Sequence, residues 1–427
     1  MAGQVWQPQI QLERVHPLVV VLFGGTGKKI GEALKYLLKQ NFGEGFRRVK
    51  ILAFDVTDER DEMTEAVELD GGEFYLLDPG DIRFILEHLE EEPYIQRWFP
   101  DPGKYPIIWE YETLEDGAGT QRVLARLVPF LIGDEILQEV VKALDEVRAT
   151  TLEGEVVHPD IVLAGSLGGA TFSGQALDVG ALLRANDAVT FRRLYLIGVL
   201  AGPYSRYTSY PLIKANCYQT LREIDAFHDR IPFEVDYDEL TQVRLPRIFD
   251  RIFLIDKEGR GSSLRDEKAA ARMIAQYLFH WAVYNGRDNL EQFLVNRKEI
   301  LTRRFRGYRC GYCSFGIARL IFPREELTEL AKLMEVRKAL RKVLDPGVEP
   351  DLSGRGLLEK YGLRAQEVLH GLYDLEKLPE RPVGDALKAS NPLDRLKEWR
   401  DHSYEPLREP LEAKVKERLE GFQALLR

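Results

Sequence analysis

The sequence predicts an α/β fold built on a doubly wound parallel sheet with helices on both faces. Runs of residues that are apolar except for Lys50, typical of strands covered on both sides, recur at residues 18–23, 49–54, 161–164 and 194–200. Helical apolar spacing follows three of these runs, after turns made of small residues. Because ligands of such sheets bind at the carboxyl ends of the strands, we expect a binding site at these turns.

The first β-α-β unit is predicted at residues 18–55. Its helix follows the first strand directly, and its second strand ends at Asp55. Glycines in the turn before the helix let backbone amides approach an anion beside the positive end of the helix dipole. This unit alone also fits a dinucleotide-binding fold in which Asp55 contacts a ribose. The turn consists of Gly24, Gly25, Thr26 and Gly27.

The same pattern returns at residues 161–183, with a longer turn between strand and helix. Its amides and its helix start again suit a phosphate, although any tight connection of this kind also uses glycine. A third glycine turn, at residues 115–122, leads into another helix. The candidate phosphate contacts in these two turns are Gly117, Ala118, Gly119, Arg122, Gly168, Gly169, Ala170, Thr171, Ser173 and Gly174.

A long helix at residues 210–228 is predicted to connect two domains. Leu212, Ala215 and Tyr218 widen its apolar stripe, so we expect the helix to be buried on more than one side. The predicted organisation is a nucleotide-binding α/β domain at 1–209, the central connecting helix at 210–228, a smaller second α/β domain at 229–325 and a C-terminal helical region at 326–427.

Charge and composition limit the partners and the compartment that we expect for this protein. The net charge is −10 and no long basic run is present, so nucleic acid is not an expected partner. No apolar stretch is long enough to span a bilayer, and residues 1–16 lack the apolar core of a secretory signal. Three cysteines in 427 residues favour a reducing compartment, and we therefore expect a cytoplasmic protein.

No metal site is predicted from cysteine or histidine spacing. Cys310 and Cys313 form a single CxxC in a strand-like stretch, without a second pair at the spacing of a zinc site. The seven histidines are scattered along the chain. Buried small apolar side chains are the expected role of the two cysteines.

Taken together, the three turns resemble the phosphate loops of the tubulin/FtsZ superfamily, in the right order, and most closely a bacterial tubulin-like branch. We call them the first loop (residues 24–27), the third loop (117–120) and the fourth loop (167–174), after their places in that superfamily. The resemblance covers about residues 17–325. It implies a protein that binds GTP or GDP, with Mg²⁺ as a further ligand. Arg122 is then placed to reach the γ-phosphate, Asp55 to contact ribose or Mg²⁺, and Asn216 to read the guanine base.

The resemblance also implies a GTPase that self-associates head to tail, as a homo-oligomer or filament, with hydrolysis completed by a neighbouring subunit. Carboxylates suit this task because they orient the attacking water. They are expected after the long helix, where the chain has acidic residues that do not match the family's sequence motif. The competing interpretation is that this acidic stretch is a solvated loop. The candidates are Asp236, Asp238 and Glu239.

Phe172 departs most from the family pattern, which has glycine at this position of the fourth loop. Its ring is expected to crowd the phosphates, so that Phe172→Gly would tighten nucleotide binding. A degenerate scaffold in which Phe172 fills the phosphate space is therefore one alternative. An NAD(P)-dependent Rossmann oxidoreductase, with Asp55 on the ribose, is another.

Overall fold

The structure, a computed structural model, describes residues 15–43, 46–59, 61, 63–114, 117–150, 156–259, 262–284, 304–305, 308–309, 312–317 and 334. The chain divides into two compact units, Met1–Ala318 and Arg319–Arg427. The predicted C-terminal helical region therefore lies outside the described residues apart from Met334, and so does Cys310 of the CxxC.

The strands and helices follow the alternating order that the apolar runs predict. The strands are β1 (Leu18–Phe23), β2 (Val49–Asp55), β3 (Phe74–Leu76), β4 (Ala149–Thr150), β5 (Val156–Val157), β6 (Asp160–Ser166), β7 (Leu194–Val199), β8 (Phe233–Asp236), β9 (Gln242–Leu245), β10 (Arg251–Ile255), β11 (Glu258–Gly259), β12 (Ser262–Ser263), β13 (Arg304–Phe305), β14 (Tyr308–Arg309) and β15 (Tyr312–Cys313). The helices are α1 (Gly24–Phe42), α2 (Ile82–Glu87), α3 (Pro93–Gln96), α4 (Arg122–Ala125), α5 (Leu127–Val147), α6 (Ala170–Ala185), α7 (Tyr210–Asp229) and α8 (Glu267–Val283).

Seven strands form one sheet in the order β15-β10-β7-β6-β1-β2-β3. Every neighbouring pair in it is parallel. In the centre, Val20 of β1 faces Ile51 of β2 on one side and Val162 of β6 on the other. The predicted doubly wound parallel sheet is therefore confirmed.

Strand β1 consists of apolar residues because it is buried on both faces of the sheet. Its side chains alternate between the two faces of the sheet, and both faces are covered. Val19 and Val21 pack into a cluster that includes side chains of α5 and α6. Val20 and Leu22 pack into a second cluster, with side chains of α1 and α8. The sheet thus holds the amino ends of α1 and α6 close to the carboxyl ends of adjacent strands.

The long helix α7 does not have the position expected from the sequence. It lies between β7 and β10 in the chain, and these two strands pair directly in the same sheet. It is therefore a crossover helix, and β10 extends the sheet that was assigned to the first domain. Helix α8 packs through Ile274 and Leu278 into the cluster that also contains α1. The borders of the predicted domains at 209 and 229 do not separate these elements.

The outer face of α7 also differs from the prediction. Leu212 is 40% exposed, Tyr218 is 65% exposed and Ala215 is exposed as well. The apolar stripe through Ile213 and Cys217 is the buried side. A crossover helix covers the sheet with one face only, and the widened stripe is left on the surface.

None of the described helices combines the length and the apolarity that crossing a membrane requires.

Candidate functional site

The first and fourth loops meet at the carboxyl ends of β1 and β6. Strand β1 passes into α1 without an intervening loop, and Gly24 takes a left-handed φ of +71° at the junction. A Cβ atom on Gly24 would lie 3.3 Å from Cβ of Thr171, which stands in the first turn of α6. The amino ends of α1 and α6 are therefore side by side.

Both helix starts lack the side chains that usually cap the first N–H groups of a helix. The N-cap residues Phe23 and Gly169 make no side-chain capping hydrogen bond, and neither helix has an acidic residue in its first turn. The first N–H groups of a helix have no partner within the helix, and the dipole makes this end positive. Gly25 is exposed, with no atom within 4 Å of the place of a Cβ. This pair of helix ends can bind an anion.

The third loop is connected to the fourth loop by Asn216 of α7, and the fourth loop lies beside the first. Gly117, Gly119 and Thr120 all have positive φ, at 87°, 49° and 66°, which makes this a tightly folded turn. Asn216 donates from Nδ2 to the carbonyl oxygen of Thr120 at 2.8 Å and to that of Gly168 at 3.3 Å. The structure thus brings the three predicted loops together at one edge of the sheet. Asn216 ties two of them, a role that the sequence did not suggest.

Asp55 lies beneath this junction, where β2 ends. Its carboxylate is 4% exposed and accepts hydrogen bonds from the backbone N–H of Val56 at 2.9 Å and from the hydroxyl of Thr171 at 3.2 Å. Burial raises the pKa of Asp55 to about 6, although these two hydrogen bonds and the charge of Lys28 oppose the shift. A carboxylate oxygen beside a hydroxyl and an anion site is the ligand type that Mg²⁺ prefers.

The raised pKa of Asp55 predicts a pH-dependent stability. A carboxyl whose folded-state pKa is about 6, against 3.8 when exposed, stabilises the fold fully at low pH, and this contribution is lost as the pH rises through 6. In Asp55→Asn this loss disappears. The stability of the variant relative to the wild type should therefore increase by about 1.4 kcal/mol between pH 5 and pH 8. Urea unfolding at both pH values measures it, with the exposed Asp58→Asn as control. An equal difference at the two pH values would contradict the expectation.

Arg122 has partners other than a phosphate. Its guanidinium donates from Nη1 to Oε1 of Glu223 at 2.8 Å and from Nη2 to the carbonyl oxygen of Ser173 at 3.0 Å. The contact of Arg122 with the γ-phosphate stays a prediction, and in the structure its two terminal nitrogens are committed to α7 and α6.

Phe172 does not stand where the sequence analysis expected. Its ring is 1% exposed and lies in the core, 6.2 Å from the ring of Phe23 between centroids. A Cβ on Gly165 would lie 2.6 Å from Cγ of Phe172, so the ring occupies space that this glycine leaves open in β6. The expectation that the ring crowds the phosphates is wrong, because the side chain points under the loop and into the sheet.

The three candidate catalytic acids lie in or beside the β8–β9 hairpin. Asp236 accepts a hydrogen bond from Arg97 at 2.7 Å and pairs with Arg244; the bond from Arg244 is the main cause of its lowered pKa. Asp238 accepts from the backbone N–H groups of Leu240 and Thr241, both at 2.7 Å, and so caps the turn. Glu239 is exposed. Their catalytic role stays a prediction, and the contacts of the two aspartates are structural.

A group of polar residues beside the first loop was missed by the sequence analysis. The hydroxyl groups of Thr26 and Tyr204 are 2.7 Å apart, which ties α1 to the turn after β7. Tyr207 donates to the buried Glu267 at 2.9 Å, and Lys29 lies 3.7 Å from the same carboxylate. The turn after β7 could have been found from the carboxyl-end rule. Glu267 could not, because its helix was assigned to another domain. In the described part of the chain, no cluster of histidine, cysteine and acidic side chains is arranged to hold a metal ion.

Known proteins similar to this chain include one family and several solved structures. A family model described as tubulin-like matches residues 19–341. No curated protein matches the sequence. Among solved structures, CetZ2 from Haloferax volcanii, a GTPγS-bound protofilament, is 19% identical over 63% of this chain and 59% of its own, with a TM-score of 0.34. TubZ from Bacillus thuringiensis serovar israelensis, a GDP-form protofilament, is 17% identical over 63% and 56%, also with a TM-score of 0.34.

TubZ of Clostridium botulinum phage c-st is 12% identical over 63% of this chain and 62% of its own, with a TM-score of 0.33. The match therefore spans less than two thirds of each of these three chains. The family model, by contrast, covers about three quarters of the sequence. It includes all three loops and, apart from Leu18, all seven strands of the sheet. The chain belongs to the tubulin-like family.

Proposed function

We propose that the protein binds a guanine nucleotide, GTP or GDP, with its phosphates at the amino ends of α1 and α6. The observation that carries the proposal is the pair of adjacent helix starts without side-chain caps or acidic residues. The dipoles and the first N–H groups of two helices converge on one place, which suits a polyphosphate. The third loop, joined to the fourth by Asn216, covers one side of that place.

Membership of the tubulin-like family supports guanine as the base. In this proposal Asp55 and the hydroxyl of Thr171, which lie 3.2 Å apart, hold a Mg²⁺ ion that accompanies the phosphates. The ion would also offset the repulsion between the Asp55 carboxylate and the phosphates. The side chains of Asp55 and Thr171 would then orient the metal, and the backbone amides of the helix starts would bind the phosphate oxygens.

The proposal is tested by thermal unfolding with GTP, GDP, ATP, NADH or no ligand. A ligand that binds only the folded state at a hundred times its Kd adds about 2.7 kcal/mol to the stability. We expect GTP and GDP to raise the melting temperature more than ATP and NADH do. No rise with any nucleotide would contradict the proposal and favour a scaffold. A rise with NADH alone would favour the dinucleotide alternative.

Head-to-tail self-association and hydrolysis between subunits form the second part of the proposal. The family resemblance supports it, together with the exposed apolar side chains of Leu212 and Tyr218, which a neighbouring subunit can cover. Asp236, Asp238 and Glu239 are the carboxylates that a neighbour would supply. Light scattering at several protein concentrations, with and without GTP, measures assembly. A signal independent of both nucleotide and concentration would contradict it.

A further inference from the structure

Helix α7 presents one row of polar side chains to the third and fourth loops. Asn216, Thr220 and Glu223 are spaced i, i+4 and i+7, which places them on the same face of the helix. Asn216 is 7% exposed and Thr220 is fully buried, so this face is turned inward. Buried polar side chains are normally hydrogen-bonded, and here the partners belong to the two loops or to residues next to them.

The first contact joins both loops through one amide. The Nδ2 group of Asn216 has two N–H donors and reaches the carbonyl oxygens of Thr120 and Gly168 together, at 2.8 Å and 3.3 Å. A carboxylate at this position has no proton to donate and could satisfy neither oxygen. One turn further on, the hydroxyl of Thr220 lies 2.7 Å from the carbonyl oxygen of Asn216 in α7 itself and 3.2 Å from that of Leu167, at the start of the fourth loop.

The second contact spans the same two loops through an ion pair. Glu223 receives two hydrogen bonds from Arg122, one of them at 2.8 Å from Nη1. Arg122 stands two residues after the third loop, and its Nη2 also donates to the carbonyl oxygen of Ser173 in the first turn of α6. A guanidinium held in two-point contact with a carboxylate has a fixed orientation. Glu223 therefore fixes how Arg122 grips the fourth loop.

Close packing leaves little freedom between these elements. A Cβ on Gly168 would lie 2.8 Å from the carbonyl oxygen of Ile213 in α7. A Cβ on Gly174 would lie 2.5 Å from the carbonyl oxygen of Arg122. Both distances are shorter than any real Cβ contact, so α7 and α4 touch the backbone of the fourth loop directly.

We propose that α7 is the element that holds the third and fourth loops in the geometry that binds polyphosphate, with Asn216 and Glu223 as positioning residues. The inference rests on the proposed nucleotide binding. The contact to the carbonyl oxygen of Gly168 fixes the backbone immediately before Gly169, the N-cap of α6, and with it the position of the first N–H groups of that helix. The N–H of Gly169 itself donates to Oγ of Ser166 at 3.2 Å, so the phosphate donors in this inference are those of the first turn of α6. Donors that are already oriented bind a ligand without a further ordering cost. The effect acts on the phosphates and is independent of the base.

The experiment measures the affinity of Asn216→Asp for GTP, ATP and inorganic tripolyphosphate by titration calorimetry. Loss of the two donated hydrogen bonds is expected to weaken binding of all three ligands by the same factor, roughly tenfold. The exposed Asn41→Asp makes the same chemical change at the end of α1 and should leave all three affinities unchanged. Weaker binding of GTP alone would overturn the inference, because Asn216 would then read the base.

A second variant keeps the test decisive if Asn216→Asp does not fold. Lysine in place of Arg122 keeps the charge but cannot contact Glu223 at two points and Ser173 as well. Arg122→Lys should also weaken the binding of all three ligands by the same factor. Arg222→Lys, on the exposed face of α7, should leave the three affinities unchanged. Unchanged affinities in a wild type that binds nucleotide would overturn this inference alone. Absence of binding by the wild type would overturn the proposed function as well.

Discussion

Replacing Phe172 by glycine is expected to lower the free energy of unfolding by about 4 to 6 kcal/mol. The ring is 1% exposed and packs beside Phe23 and over Gly165. Its removal leaves a cavity between α6 and the sheet, which costs about 3 to 5 kcal/mol for a buried phenylalanine. Glycine within the first turns of α6 adds about 1 kcal/mol. Urea unfolding without nucleotide measures the change.

Phe172→Leu is the matched control for this experiment, because it keeps most of the apolar volume and should lose much less stability. The sequence alone suggested that Phe172→Gly would tighten nucleotide binding. The structure predicts no such gain, since the ring lies under the fourth loop and packs into the sheet beside Phe23. A glycine variant that is as stable as the wild type and binds GTP more tightly would contradict the position of the ring.

Replacing Arg126 by methionine is expected to cost about 3 to 5 kcal/mol, because it leaves a buried carboxylate without its counter-charge. Asp178 on α6 is 2% exposed and accepts from Nε and Nη2 of Arg126 at 3.0 Å and 3.2 Å. Of the partners in the described structure, the hydroxyl of Tyr237 at 2.8 Å would be left to it. Methionine keeps the apolar stem and removes the guanidinium, which also lies over the ring of Trp98, 4.3 Å from its centroid.

Arg244→Met provides the comparison for Arg126→Met. Arg244 pairs with Asp236 on the hairpin, and its side chain is 47% exposed. Exposed ion pairs contribute about 1 kcal/mol or less, so this variant should remain close to the wild type in urea unfolding. If Arg126→Met lost no more stability than Arg244→Met, the pair of Arg126 with Asp178 could not be the stabilising buried contact between the start of α5 and α6.

The sheet could be predicted from the sequence because its central strands have a simple pattern. Strands β1 and β7 are continuous apolar runs, and β6 contains one at residues 161–164. Because these strands are buried on both faces, apolar and polar residues do not alternate along them. The place of α7 could not be predicted in the same way. Whether β10 joins β7 or starts a new sheet depends on pairing between distant residues, which leaves no local signal in a five-residue strand.

In the candidate site, too, some features could be predicted from the sequence and others could not. The meeting of the first and fourth loops follows from the rule that ligands bind at the carboxyl ends of parallel strands. The directions of individual side chains do not follow from it. Phe172 turns inward because Gly165 in β6 leaves room for the ring. Arg122 turns towards α7 because Glu223 is there to receive it. Each of these depends on a neighbour that the spacing of a motif does not reveal.

The central claim is that the paired helix starts bind the phosphates of one nucleotide. A calorimetric titration of the full chain with GTP in the presence of Mg²⁺ tests it most directly. We predict saturable binding of one nucleotide per chain, which an excess of inorganic tripolyphosphate displaces. Absence of saturable binding, or binding that tripolyphosphate leaves unchanged, would contradict the claim.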